Sequence, residues 1–158
     1  MKYNIKSNKE LTKDYLEELY KIFEDNMKVV SKGTIYETTF TNDYKNYWID
    51  NILSNDNLKV ISFYDNNVFI GYLIVIEEDD IFIHEFQLIK EYQGDGKSFR
   101  YVVKTVLDLY NNGKIFHGRI WKSNLKAMIV FRTMGAIINE KDEFELTYSQ
   151  AKDWYEKI

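Results

Sequence analysis

Tyr92-Gln93-Gly94-Asp95-Gly96-Lys97-Ser98 is a glycine-bearing loop set between two segments of different period. Ile81–Ile89, before it, is rich in strand formers and reads as a β-strand. After it, Phe99, Val102, Val103, Val106, Leu107 and Tyr110 recur at three- and four-residue steps, the buried face of a helix. A strand that passes through small residues into a helix start presents unpaired backbone N–H groups and a partial positive charge. Such a place suits an anion, most often a phosphate. Three phosphate-loop patterns compete for it. Gly96-Lys97-Ser98 ends like G-x-x-x-x-G-K-[ST], but that pattern needs a glycine where the chain has Glu91. Leu73–Ile76 with Glu77–Asp80 has the look of that pattern's acidic partner strand, yet precedes the loop instead of following it. G-x-G-x-x-G, begun at Gly94, puts Phe99 on its third glycine. The third pattern, [RQ]-x-x-G-x-[GA], is met at Gln93 and Gly96, with Ser98 in its last, small-residue place.

Moving outward, Leu58–Tyr64 and Val68–Ile76 read as strands joined by a tight turn at Asp65-Asn66-Asn67, and Glu77–Asp80 as an acidic turn into Ile81–Ile89. Upstream, Lys2–Lys6 alternates as a first strand. Ser7 and Glu10 have capping-box spacing, ahead of an apolar stripe at Leu11, Tyr15, Leu19, Ile22, Phe23 and Met27. A second helix is expected over Asp43–Ser54, started by Thr41 or Asn42 and buried through Trp48, Ile49, Ile52 and Leu53. Downstream, the loop's helix is expected to stop at Asn111-Asn112-Gly113, with a strand following over Ile115–Trp121. Ser123 and Asn124 can cap a short helix through Met134, closed by Gly135. Ala136–Asn139 and Phe144–Ser149 then read as a closing hairpin, with a last helical turn around Trp154. The order predicts one α/β domain over residues 1–158, a central, mostly antiparallel mixed sheet flanked by helices (α+β in character).

A second short pattern decides among the three loops. Asn124-Leu125-Lys126-Ala127, then Phe131 and Gly135, follows N-x-x-A-x-x-x-Y-x-x-x-G apart from Phe131, one helix and one strand beyond the loop. Ile83-His84-Glu85-Phe86-Gln87-Leu88 precedes the loop as a strand with an acid three residues before its last apolar position. Together these resemble the GNAT acyltransferases, in element order throughout and residue by residue over Ile83–Gly135. The resemblance implies acetyl-CoA or a related acyl-CoA as co-substrate, with no metal. It implies that Gln93, Gly94, Asp95, Gly96, Lys97 and Ser98 hold the CoA diphosphate. Phe86, Gln87 and Leu88 would pair with the pantetheine arm, the N–H near Leu88 polarising the thioester carbonyl. Asn124 would touch the same arm and Phe131 would lie near its sulfur. An attacking amine must shed a proton, and Glu85 and His84 are the candidate bases. Neighbours on a regular strand face opposite sides, so one of the two is expected to serve, with Glu85 preferred. Phe131 stands where many relatives have a tyrosine able to protonate the leaving thiolate. That difference motivates the alternative reading, a non-catalytic acyl-CoA-binding domain of the same fold.

Composition narrows the partners. Apolar residues make up 45% and aromatics 16% of 158 residues, enough for a packed core. The net charge of −4 and pI near 5.3 disfavour nucleic acid and leave a small-molecule or protein amine as acceptor. Cysteine is absent, which removes disulfides, thiolate metal sites and a thiol nucleophile. The longest apolar run, Val68–Ile76, is too short to span a bilayer and is interrupted by Gly71. No apolar leader follows Met1, and a cytoplasmic protein is expected, with a homodimer compatible with the sequence.

Overall fold

Leu16, Leu19, Tyr20 and Phe23 form one buried stripe along α1 (Lys13–Ser31), and Trp48, Ile49 and Ile52 a second along α2 (Asn42–Ser54). Both stripes close on one face of a sheet, against Leu58, Val60, Tyr72 and Ile74. The opposite face, through Ile61, Phe63, Leu73, Val75 and Ile81, packs on Val102 and Val103 of α3 (Lys97–Leu109) and on Ala151 of α5 (Tyr148–Glu156). These relations come from a computed structural model that describes residues 1–111 and 113–157.

The described residues form a seven-stranded sheet in the order β1-β2-β3-β4-β5-β7-β6. Its strands are β1 (Lys2–Ser7), β2 (Leu58–Asp65), β3 (Val68–Glu77), β4 (Ile81–Leu88), β5 (Ile115–Arg119), β6 (Ile137–Ile138) and β7 (Glu143–Thr147). A short helix, α4 (Leu125–Thr133), lies between β5 and β6. Every ladder is antiparallel except β4–β5. The expected mixed, mostly antiparallel sheet is therefore present, and the one parallel pair is the one that α3 crosses over. The β2–β3 turn has Asn66 and Asn67 at φ 50° and 66°, the left-handed pair that a two-residue hairpin demands.

Several element boundaries differ from expectation. The Ser7/Glu10 pair caps a single 3₁₀ turn, Glu10 Oε1 accepting from Ser7 N (3.0 Å) and Oγ (2.9 Å). The helix itself starts later, because Thr12 Oγ1 accepts from Tyr15 N. At the C-terminal end, the strand expected to reach Ser149 stops at Thr147. There Thr147 and Gln150 make a reciprocal capping box (2.9 and 3.1 Å) that opens a nine-residue helix where one turn was expected. β5 stops at Arg119, two residues short of Trp121, and α3 stops at Leu109; of the expected stop signal, Asn112 lies outside the described residues.

Candidate active site

β4 and β5 pair only over Ile81–Ile83 and Phe116–Gly118. Beyond that point β4 runs on to Leu88 with a ladder partner on one side, β3. The sheet thus opens as a wedge along Glu85–Leu88, and the Gln93–Ser98 loop lies just past its end. Close approach is built in behind this edge. A Cβ on Gly71 of β3 would lie 2.3 Å from Gln87 O, so only glycine lets the two strands meet there. Ile89 N donates to Ile70 O (2.9 Å), so by strand alternation the N–H and C=O of Leu88 point away from β3, into the wedge.

Leu88 O is gripped by two side-chain amides, Asn26 Nδ2 at 2.8 Å and Gln93 Nε2 at 2.9 Å. Gln93 also donates to Asn26 Oδ1 (3.0 Å), and Asn26 to Gln87 Oε1 (2.9 Å). This network locks the tip of β4 to α1 and to the loop at once. Asn26 escapes sequence reasoning because it sits on a helix with nothing local to mark it. Gln93 was singled out as a loop residue, and its side chain here orients the Leu88 peptide.

A bulge in β4 decides the second feature. Ile74 pairs with Glu85 and Val75 with Ile83, leaving His84 as the extra residue. On a regular strand Glu85 would share the face of Ile81 and Ile83, which pack towards α3. The bulge reverses the alternation. Glu85 is turned instead to the α1/α2 face, where Tyr72 Oη donates to Oε2 and Trp48 Nε1 to Oε1 (3.1 Å). His84 is turned to that same side and borders a depression of about 460 Å³ lined by Asn51, Ser54, Leu58 and Ile76. The expectation that the two neighbours face opposite sides fails here, for this reason. The depression shares no residue with the Gln93–Ser98 loop, and protein crowding around the exposed His84 ring holds its pKa below the ordinary imidazole value.

Burial pushes the Glu85 carboxyl up to about 8, against the opposing pull of hydrogen bonds from Tyr72 and Trp48. The hydrogen-bond inventory agrees. Tyr72 has one hydroxyl hydrogen and faces two acceptors, Leu19 O (3.1 Å) and Glu85. When that hydrogen goes to Leu19 O, a protonated Glu85 can donate to the Tyr72 oxygen in its place. Neither Trp48 nor Tyr72 stands out in the sequence as anything but core, and they are 5% and 0% exposed.

In the loop, Gly94 and Gly96 have φ of 83° and 78°, the left-handed region that favours glycine, and a Cβ on either would meet only open space. Ser98 is fully buried with its Oγ unpartnered, a hydroxyl oriented by the fold and unused within it. Asp95 alters the expected picture. Its Oδ1 accepts from Lys97 N (3.0 Å) and Ser98 N (3.2 Å), so a carboxylate already caps the two helix-start donors. Across the wedge, Asn124 caps α4, its Oδ1 accepting from Ala127 N (3.3 Å), which leaves its amide nitrogen free of that bond. Phe131 packs on Phe144 of β7 with ring centroids 4.5 Å apart. His117 on β5 lies 3.3 Å from Asp80.

No family model and no curated protein matches the sequence. Solved structures do match. The PaiA N-acetyltransferase of Thermoplasma acidophilum, solved in complex with coenzyme A, is 14% identical at TM-score 0.61, covering 94% of this chain and 100% of that one. A GNAT-family acetyltransferase of Streptococcus agalactiae is 13% identical at TM-score 0.64, covering 92% and 95%. Tetrahymena GCN5 is 10% identical at TM-score 0.63, covering 94% and 96%. The chain has the GNAT fold. The splayed β4–β5 pair, the bulged β4 and the loop at the start of α3 are thus features of a GNAT-fold chain. Among the described residues, no helix of this GNAT-fold chain is long and apolar enough to cross a membrane.

Proposed function

We propose that the chain transfers an acetyl or other short acyl group from acyl-CoA to a primary amine, by direct attack of the amine on the thioester. The observation that carries the reading is Glu85: a carboxylate enclosed among aromatic rings, raised to about 8, three residues before the free peptide edge of Leu88. A raised carboxyl in a sheet opening is costly to keep for packing alone, and suits proton transfer near neutral pH.

Bound acyl-CoA supplies an activated carbonyl and a thiolate leaving group. Glu85, ionised, takes a proton from the entering ammonium and leaves a lone pair free to attack. The N–H of Leu88, held by the Asn26–Gln93 grip on its own carbonyl, donates to the oxygen that becomes negative as the amine adds. Glu85 then holds the released proton as a carboxylic acid hydrogen-bonded with Tyr72, and gives it up to solvent as it reionises for the next turnover. A phenylalanine at 131 offers the thiolate no proton, which costs little, since a thiol of pKa about 8.5 departs tolerably unaided. Gln93–Ser98 would hold the diphosphate through backbone N–H groups, with Ser98 as the small residue at the helix start, while Asn124 would meet the pantetheine arm with its amide nitrogen. The bulge directs Glu85 and His84 to one side, and Glu85 is the proposed base because it has the enclosed position.

The test is thermal melting with ligands. CoA or acetyl-CoA at a hundred times its Kd should stabilise by about 2.7 kcal/mol. A shift with ATP–Mg²⁺ and none with CoA would replace this reading by the triphosphate-loop one. Binding with no transfer to any amine would leave a CoA-binding domain.

The Asp95 cap yields a prediction of its own. A diphosphate approaching Gln93–Ser98 meets a carboxylate of its own sign. Asp95→Asn keeps an acceptor for the Lys97 and Ser98 N–H groups and removes the charge. CoA affinity measured by titration calorimetry should rise about three- to tenfold at low salt, and the gain should shrink as salt is added. A loss of affinity would show that the carboxylate's ordering of the loop outweighs its repulsion.

A further inference from the structure

Aromatic rings run without a break from solvent to Glu85. Tyr36, 42% exposed in the α1–α2 connection, stacks on Trp121 just past β5, with centroids 4.8 Å apart and planes 14° from parallel. Phe40 lies against Trp121 (6.5 Å), Tyr44 (6.2 Å) and Phe23 (5.6 Å). Phe23 stacks on Trp48 (5.9 Å), whose indole donates to Glu85. The connection therefore bridges from α1 to the β5 arm of the wedge on flat apolar faces. Among the carboxylates beside this path, Glu24 faces Lys28 at 3.7 Å and Glu37 accepts from Gly33 N at 3.3 Å.

A second observation points inward. Tyr20, 3% exposed, packs on Trp48 at 5.4 Å, and its hydroxyl is buried with no partner. Burial, with the neighbouring Glu24, Tyr44 and Glu85, holds it up to about 12, so it stays a neutral hydroxyl. A buried hydroxyl left unpaired is costly, and one within the field of Glu85 has a natural partner in a ligand's N–H group.

We propose that the acceptor is a primary amine on a flat aromatic body, the body lying against Tyr36, Phe40 and Trp121 and the nitrogen reaching Glu85 and the Tyr20 hydroxyl. This rests on the acyl-transfer reading above. Rings match such a body by stacking, and one carboxylate matches one nitrogen. A diamine or polyamine would present no flat face to these rings. A lysine side chain would bring an aliphatic stem with no face to stack.

The experiment is acetyl-CoA consumption with 2-phenylethylamine, tryptamine, putrescine, spermidine and a lysine-containing peptide, on wild type and two variants. The aromatic amines should have kcat/KM at least about tenfold above the others, as burial of a ring commands. Tyr36→Ala removes an exposed ring at little risk to folding. It should raise KM for the aromatic amines about three- to tenfold and leave KM for acetyl-CoA unchanged. Tyr20→Phe should raise KM for the aromatic amines or lower their kcat, again with acetyl-CoA unaffected. Preference for a diamine, polyamine or peptide overturns the aromatic acceptor and leaves acyl transfer standing. So does wild-type behaviour in both variants. No turnover with any amine, alongside an intact CoA melting shift, overturns both readings together.

Discussion

Glu85→Gln is expected to slow single-turnover acyl transfer by about 10²–10⁴-fold, the usual contribution of a positioned base, with acetyl-CoA affinity unchanged. Glutamine keeps the shape of the side chain and still accepts from the Trp48 indole, so the pocket has little reason to collapse. What it cannot do is take a proton. The pH profile separates this from a structural effect. With the carboxyl at about 8, roughly a tenth is ionised at pH 7, so the wild-type rate should climb through pH 8 and then level. In the glutamine variant that climb should vanish. Stability should move the opposite way. The folded state holds the Glu85 proton up to about 8, whereas the unfolded chain releases it near the ordinary carboxylate value of 4.5. The stabilisation is therefore fully present below about 4.5 and is lost as pH rises to about 8, because the native state binds more protons across that window. Glu85→Gln should flatten this decline. A rate that remains pH-dependent and undiminished in Glu85→Gln, but collapses in His84→Ala, would assign the base to the other residue of the bulge.

How far the sequence went depended on whether the signal was local. The hairpin at Asn66-Asn67, the stripe of α1 and the small-residue loop all reside in short windows, and the structure reproduces them. The parallel β4–β5 pair followed from one strand-loop-helix-strand crossover among antiparallel neighbours. The His84 bulge could not be read. It arises from how β3 and β4 are held over seven paired positions, and it decides which face Glu85 reaches. Parity alone would have placed that carboxylate on the α3 side. Tyr72, Trp48 and Tyr20 have the signature of any core aromatic, and only the tertiary meeting of α1, α2 and β3 turns their polar tips on Glu85. Asp95 was the exception that was legible. Its spacing to Lys97 and Ser98 is that of a side-chain cap, and reading the loop only for its glycines concealed it.

Gly96→Val should weaken CoA binding at least tenfold and leave the protein folded, and the reason lies in conformation more than in crowding. Gly96 is the residue just before α3, at φ 78°, and nothing lies within 4 Å of a Cβ built there. The empty side is the side a diphosphate must approach, so a branched side chain would occupy it. Valine is also a poor occupant of the left-handed region, so the loop should shift away from its present path. Two comparisons separate these causes. Gly96→Asn tolerates the left-handed conformation but projects a side chain into the same space, so it should lose CoA affinity with little loss of stability. Gly33→Val places the same strain at φ 79° in the α1–α2 connection, again with nothing near its Cβ. It should destabilise comparably and leave CoA affinity alone. Calorimetric affinities for CoA, read beside melting temperatures, distinguish the outcomes. If Gly96→Val folds and binds CoA as the wild type does, the phosphate site is not at Gln93–Ser98. The resemblance that singled out the loop would then describe its ancestry and not its use.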